Sequence, residues 1–219
     1  MRKQYEEQLA NLHGELIAMG QMCEEAINYA VRSLTQNDRA LTAHVFEVDA
    51  GIDKKEREIE TLCLKLLLQQ QPVATDLREI SSALKMISDM ERIGDQASDI
   101  AELVPYMIGH TDQNEQDLQA MSREAIKMVT SSVDSYVRRD LILARKVIAY
   151  DDIVDDWFVR LKSELIAMIG KDNSSGEYCI DLLMAAKYLE RIADHATNIA
   201  EWVEYSITGK RSKNGVIPD

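Results

Sequence analysis

Glu91, Asp95, Asp99 and Glu102 follow one another at spacings of 4, 4 and 3 residues. On a helix, at roughly 100° per residue, that spacing gathers the four carboxylates into one stripe. No Lys or Arg falls inside it, so neighbouring acids repel by about 0.2–0.5 kcal/mol per pair on an isolated helix. A solvated face would normally interleave lysines. A row of carboxylate oxygens suits a hard or borderline cation instead, which would remove the repulsion the row creates. The chain writes the stripe a second time as Glu190, Asp194, Asn198 and Glu201, all of them oxygen-bearing side chains.

The element that must position each stripe is a helix. Leu84 to Val104 reads LKMISDMERIGDQASDIAELV, and Met184 to Val203 reads MAAKYLERIADHATNIAEWV. In the first, Met86, Met90, Ile93, Ala97, Ile100 and Val104 form an apolar seam at spacings of 4, 3, 4, 3 and 4; in the second, Ala185, Leu189, Ile192, Ala196, Ile199 and Val203 repeat it. This is the period of a helix with one buried side, and the acids lie nearly opposite, facing away from the core. A chain with 38 Asp and Glu against 25 Lys and Arg produces acidic clusters without purpose. Arg92 and Arg191 can also offset the repulsion by pairing with Asp89 and Asp95, or with Asp194, one turn away. Repetition is what lifts the pattern above surface decoration.

The repeat extends over the whole chain. A second ridge, Asp49, Asp53, Glu56 and Glu60, lies on the flank of a helix expected from about Arg39 to Gln70, with Lys54, Lys55 and Arg57 nearby. Shifted by 102 residues, Ser33, Asp38, Val45, Asp49 and Asp53 meet identical residues at Ser135, Asp140, Val147, Asp151 and Asp155, and Asp152 with Asp156 adds another i, i+4 pair. Asn37 and Asp38 read as a turn and helix cap, Pro72 as a connector, and Thr75 as the cap of the third helix. The other helices are expected over about Tyr5–Leu34, Thr75 to near Pro105, Glu115–Arg138, Leu141–Ile169 and Glu177–Ile207. The polar stretch from Gly109 to Asn114 divides the chain into halves 1–109 and 110–219.

Three helices repeated once predict an all-α protein: six helices as two tandem, pseudo-symmetric, antiparallel three-helix bundles. The second and third helices of each half then lie side by side. Asp49 and Asp53 come near Glu91, Asp95 and Asp99, and Asp151, Asp152, Asp155 and Asp156 come near Glu190, Asp194 and Asn198. These twelve residues are the candidate metal ligands.

Composition narrows the function. Only three prolines, nine glycines and 5% aromatics favour long helices with short loops, and 46% hydrophobic residues can build a real core. A formal charge of −13 disfavours nucleic acid and anionic membrane as partners. Cys23, Cys63 and Cys179 are odd in number and form no Cys-x-x-Cys, which fits buried thiols in a reducing compartment. With no apolar leader at the start and no run long enough to span a bilayer, a cytoplasmic location without membrane insertion is expected.

The connector Gln70-Gln71-Pro72-Val73-Ala74-Thr75-Asp76-Leu77-Arg78, together with Met90-Glu91-Arg92-Ile93-Gly94-Asp95 and Leu189-Glu190-Arg191-Ile192-Ala193-Asp194, resembles the PhoU family, accessory regulators of bacterial phosphate transport. The resemblance covers essentially the full chain. It implies acid-xxx-Asp motifs that hold multinuclear metal clusters on the bundle surface, matched here by Asp49 with Asp53, Glu91 with Asp95, Asp95 with Asp99, Asp151 with Asp155 and Glu190 with Asp194. The metal it implies is iron, manganese, zinc or magnesium. It further implies a cytoplasmic negative regulator of phosphate uptake and of the phosphate-starvation response. Such a regulator contacts the ATPase of a phosphate ABC transporter and a membrane sensor histidine kinase, often as a homodimer. Asn198 departs from the pattern, since the first half has Asp99 there, and the second site should bind metal more weakly.

Enzymatic alternatives find little support. A ferritin-like di-iron centre needs inward Glu-x-x-His pairs, and none of His13, His44, His110 or His195 has Glu three residues before it. No Walker-type loop, nucleophile elbow or dinucleotide fingerprint is present, so no catalysis is expected. His195 points about 100° away from Asp194 and is expected at the surface or facing a partner. Trp157, Phe158, Trp202 and Tyr205 read as core or dimer-contact aromatics. The remaining rival is a metal-independent helical scaffold whose acid ridges stay solvated.

Overall fold

Local side-chain signals mark the starts of the helices at Arg39, Ala74 and Leu141. The computed structural model describes residues 2–36, 38–69, 73–107 and 114–210. It contains α1 (Arg2–Gln36), α2 (Arg39–Gln69), α3 (Ala74–Glu102), α4 (Asn114–Val137), α5 (Leu141–Lys171) and α6 (Gly176–Thr208), with single 3-10 turns at Val104–Tyr106 and Asn173–Ser175. No strand occurs among the described residues.

Asp38 caps α2, its Oδ1 accepting from the amides of Ala40 (2.8 Å) and Leu41 (3.4 Å). Its equivalent Asp140 caps α5 in the same way, accepting from the Leu143 amide at 2.9 Å. The preceding turns also match, because the Asp38 amide donates to the Ser33 carbonyl and the Asp140 amide to the Ser135 carbonyl. Thr75 does not cap α3. The helix begins at Ala74, and the amide of Val73 donates to the Asp76 carboxylate three residues on (3.3 Å), which leaves Thr75 inside the first turn. Asn37, the connector residues Gln70 to Pro72, and the boundary between the halves at Gly109 to Asp112 lie outside the described residues.

Both seams are buried throughout: every one of the twelve residues from Met86 to Val104 and from Ala185 to Val203 has no exposed surface. Full burial of a Leu, Ile or Met side chain is worth ~1.5–3 kcal/mol, far more than the acid repulsion of a few tenths per pair. Packing therefore fixes α3 and α6, and the ridges must accept the positions it gives them.

Side-chain pairs set the directions. Lys55 with Glu15 (2.8 Å) and His44 with Glu25 (3.2 Å) run α2 antiparallel to α1, and Ser98 with Asp49 (2.9 Å) and Ser88 with Glu56 (3.2 Å) run α3 antiparallel to α2. In the second half, Tyr150 with Glu124 (2.7 Å) and Arg160 with Asp117 (3.4 Å) do this for α4 and α5, and Arg145 with Glu204 (2.8 Å) for α5 and α6. The halves meet where α1 packs on α4 and α3 packs on α6, the latter the most extensive contact in the molecule. So α1, α3, α4 and α6 form the centre, α2 and α5 lie outside them, and one contiguous core runs through both halves. No helix among the described residues is long and apolar enough to cross a membrane.

Candidate functional site: paired carboxylate grooves

In the first half the antiparallel α2 and α3 bring their ridges together. Asp49 lies deepest. Its Oδ2 accepts from the Ser98 hydroxyl at 2.9 Å, while its Oδ1 is buried with no hydrogen-bond partner. Gly94 makes room for it, since a Cβ there would stand 2.6 Å from Asp49 Oδ1. Burial pushes the Asp49 carboxyl above the usual carboxylate range; the Ser98 hydrogen bond opposes this, and the charges of Asp95, Asp53 and Asp99 add to it. Burial likewise raises Glu91, with Asp95, Glu56 and Asp53 adding and Arg92 opposing. Asp95 is raised by burial and by Asp53, against Arg92 and His195, and Asp99 by burial, Glu102 and Asp95, against Arg191. Asp49, Asp53, Glu91, Asp95 and Asp99 thus share one electrostatic field.

The second half assembles less. Burial raises Asp155, with Glu190, Asp152 and Asp156 adding and Lys187 opposing, so the α5 acids do reach the Glu190 side of α6. Lys187 neutralises part of that groove: its Nζ pairs with Glu190 and lies 5.3 Å over the Phe158 ring. The α6 stripe does not stay outward along its length. Glu201 is buried, and Asn198 turns to α3, donating from Nδ2 to Asp89 at 3.4 Å. Asp194 lines a separate groove between α3 and α6.

That α3–α6 groove escaped sequence reasoning. His195 belongs to it rather than to open surface, its Nδ1 lying 2.9 Å from Asp89 Oδ1, with the imidazole and the carboxyl both largely buried. Because Asp89 engages His195 and Asn198, it does not pair with Arg92. Neither Arg92 nor Arg191 has a carboxylate within 4.0 Å among the described residues. The signal was present in the sequence, since both arginines sit in the repeated Glu-Arg-Ile, but helix spacing alone assigned them to neighbouring acids. Trp202 and Tyr205 meet edge to face at 5.9 Å.

Among the described residues, no three His, Cys, Asp or Glu side chains are drawn together as a ready-made metal site. The donor chemistry of the α2–α3 groove nonetheless fits a hard cation: it is all oxygen, charge-rich, and contains an unpartnered buried carboxylate oxygen beside a glycine that keeps the space open.

Taken together, these features define an all-α, internally duplicated six-helix protein whose halves each carry a carboxylate groove at the surface. Known proteins of this design are similar to it in sequence. The model of the PhoU domain matches residues 16–104 and again 118–203, and the chain belongs to the PhoU family. It is 36% identical to a phosphate-specific transport system accessory protein PhoU homolog of Clostridium acetobutylicum, over 96% of this chain and 97% of that one. The corresponding homolog of Pseudomonas aeruginosa is 34% identical over 94% and 86%. The crystal structure of PhoU from Pseudomonas aeruginosa superposes with a TM-score of 0.88 over 94% of this chain and 100% of that one. The phosphate transport system regulatory protein PhoU from Streptococcus pneumoniae, 25% identical, gives 0.86 over 94% and 98%.

Proposed function

We propose that this chain is a cytoplasmic adaptor that restrains phosphate uptake and the phosphate-starvation response by contacting the ATPase of a phosphate ABC transporter and a membrane sensor histidine kinase, working as a homodimer. The accessory-protein names of its relatives support the transport role. The observation that carries the metal part of the reading is the α2–α3 groove, where a half-buried Asp49 with an unpartnered oxygen faces the ridge of Asp95 and Asp99. Iron, manganese, zinc or magnesium would be held by Asp49, Asp53, Glu91, Asp95 and Asp99 in the first half. In the second half it would be held by Asp151, Asp152, Asp155, Asp156 and Glu190, while Asp194 and Asn198 line the α3–α6 groove instead. The bound ion supplies charge neutralisation, which stiffens the groove; the protein's own residues do the recognising.

Two measurements test this. A pull-down from phosphate-replete cells should recover a transporter ATPase or a sensor kinase, and recovery of neither counts against the adaptor role. Calorimetric titration of chelator-treated protein with each of the four metals should give saturable heat, and its absence removes the metal sites. The second reading, a metal-independent helical scaffold, is favoured by the exposed apolar side chains Leu64, Leu68, Val73 and Leu77 near the α2–α3 connector. It predicts partner recovery without saturable metal binding.

A further inference from the structure

Arg57, Arg138, Arg139, Arg145 and Arg160 each have a carboxylate within 4.0 Å. Among the described residues Arg32, Arg39, Arg78, Arg92, Arg123 and Arg191 have none, and of these Arg92 and Arg191, at equivalent positions of α3 and α6, line one groove of about 470 Å³ where the two halves meet. Its other walls are Gln96, Asp194, His195 and Asn198. The wall thus carries one carboxylate, two guanidinium groups, an imidazole and two carboxamides, with Asp89, Asp95 and Asp99 close beside them. Asp89 holds His195 by Nδ1 and Asn198 by Nδ2, which fixes both side chains in the wall. The Gln96 Oε1 is buried without a partner, an acceptor in want of a donor.

We propose that this groove binds a phosphoryl group between Arg92 and Arg191. Guanidinium forks match phosphate oxygens bidentately, and two of them serve a dianion. A monohydrogen phosphate also carries the P–OH that Gln96 Oε1 lacks. The groove continues past Arg92 and Asn198 into a second cavity of about 680 Å³, lined among others by Trp202, Leu84, Glu56 and Ser88. Trp202 offers an aromatic face and Glu56 acceptor oxygens, so the phosphoryl group is either free or carried by a nucleoside seated in that second cavity. The nearby Asp95 and Asp99 oppose an anion, and the paired guanidinium groups of Arg92 and Arg191 must offset them.

The test uses metal-free full-length protein, which separates it from the metal reading. Inorganic phosphate, pyrophosphate and AMP are titrated at constant ionic strength. Binding is followed by calorimetry and, in a Trp157→Phe background where Trp202 is the remaining tryptophan, by fluorescence. Saturable binding is expected, with Arg92→Gln and Arg191→Gln each weakening it by about tenfold or more, and Arg123→Gln, exposed on α4, leaving it unchanged. Equal affinity for phosphate and AMP assigns the free anion; a marked preference for AMP assigns the ester. The proposal is overturned if none of the three ligands saturates, or if the double variant Arg92→Gln, Arg191→Gln melts like the parent and binds as well.

Discussion

Asp49 reaches α3 over Gly94, whereas the matching position in the second half is Ala193, buried and carrying a methyl group. The same contrast recurs along both grooves. Glu56 accepts from Ser88 in the first half, and at their equivalents Phe158 lies under Lys187, which pairs with Glu190. Ser98 donates to Asp49, while the hydroxyl of its equivalent, Thr197, is buried with no partner. Asp99 sits in the field of Glu102 and Asp95, while Asn198 has turned to the other half. One backbone template has thus produced a groove that accumulates carboxylates and a groove that neutralises them. Duplication preserved the seams, which packing demands, and let the two surfaces diverge.

The largest expected effect tests that divergence directly. Asp95→Ala should weaken manganese or iron binding by on the order of 100-fold, at or beyond the upper end of the ~10–100-fold cost of losing an outer-shell partner. Asp194→Ala, in the partly neutralised half and on the wall of the α3–α6 groove, should weaken it by no more than about tenfold. Calorimetry of the two variants decides, and equal losses would erase the distinction between the grooves. Next in size is a comparison of two buried acids. Glu79 is held by Arg139, itself at φ 51°, and by His13, whereas Glu204 is held by Arg145. Leaving a buried charge unpaired costs ~3–5 kcal/mol, but solvent screening lowers this for half-exposed arginines. Arg139→Ala should cost about 2 kcal/mol by denaturant unfolding and Arg145→Ala about 1, because Arg145 is 61% exposed against 44% for Arg139.

Gly94→Ala and Ala193→Gly exchange the two designs. The new methyl at position 94 would displace Asp49 from Ser98, a charge-assisted hydrogen bond worth ~1.5–3 kcal/mol, against a helix-propensity gain of ~1 kcal/mol. A net loss of about 1 kcal/mol is expected, together with weaker metal binding. Ala193→Gly should cost a similar ~1 kcal/mol through propensity alone and leave metal binding unchanged. A Gly94→Ala variant that keeps its metal affinity would show that the close approach is incidental.

The six helices were legible because their signals are local or periodic. The seams of α3 and α6 repeat every three or four residues, and Asp38 and Asp140 mark matching starts. The meeting of Asp49 with the Asp95 and Asp99 ridge was legible too, since short loops force α2 against α3. What lies between the halves was not. The turn of Asn198 towards Asp89 and the contact of His195 with Asp89 both depend on α3 crossing α6, and nothing in helix periodicity says which faces of two separate bundles meet. Thr75 misled for a smaller reason, as the Asp76 carboxylate could serve an N-terminus one residue earlier.

The smallest effect is the dependence of stability on pH. Asp49, Glu91, Asp95 and Asp99 all have carboxyls raised above their ordinary values, chiefly by burial, with their neighbours' charges adding. A raised carboxyl binds its proton more tightly in the folded than in the unfolded chain, so its contribution to stability is full below the unfolded value near pH 4 and is lost as pH rises through the folded value. Metal-free protein should therefore melt slightly higher as pH is lowered from 7 towards 5. In the second half Asp155 is raised as well, chiefly by burial, but Lys187 opposes it. Replacing Asp95 by Asn should flatten the rise more than replacing Asp194 by Asn. Saturating manganese should flatten it as well, because a bound cation removes the repulsion that protonation would otherwise relieve. A melting temperature that falls steadily from pH 7 to 5, in parent and variants alike, would mean that the first-half carboxylates are already compensated and that the two grooves differ in composition alone.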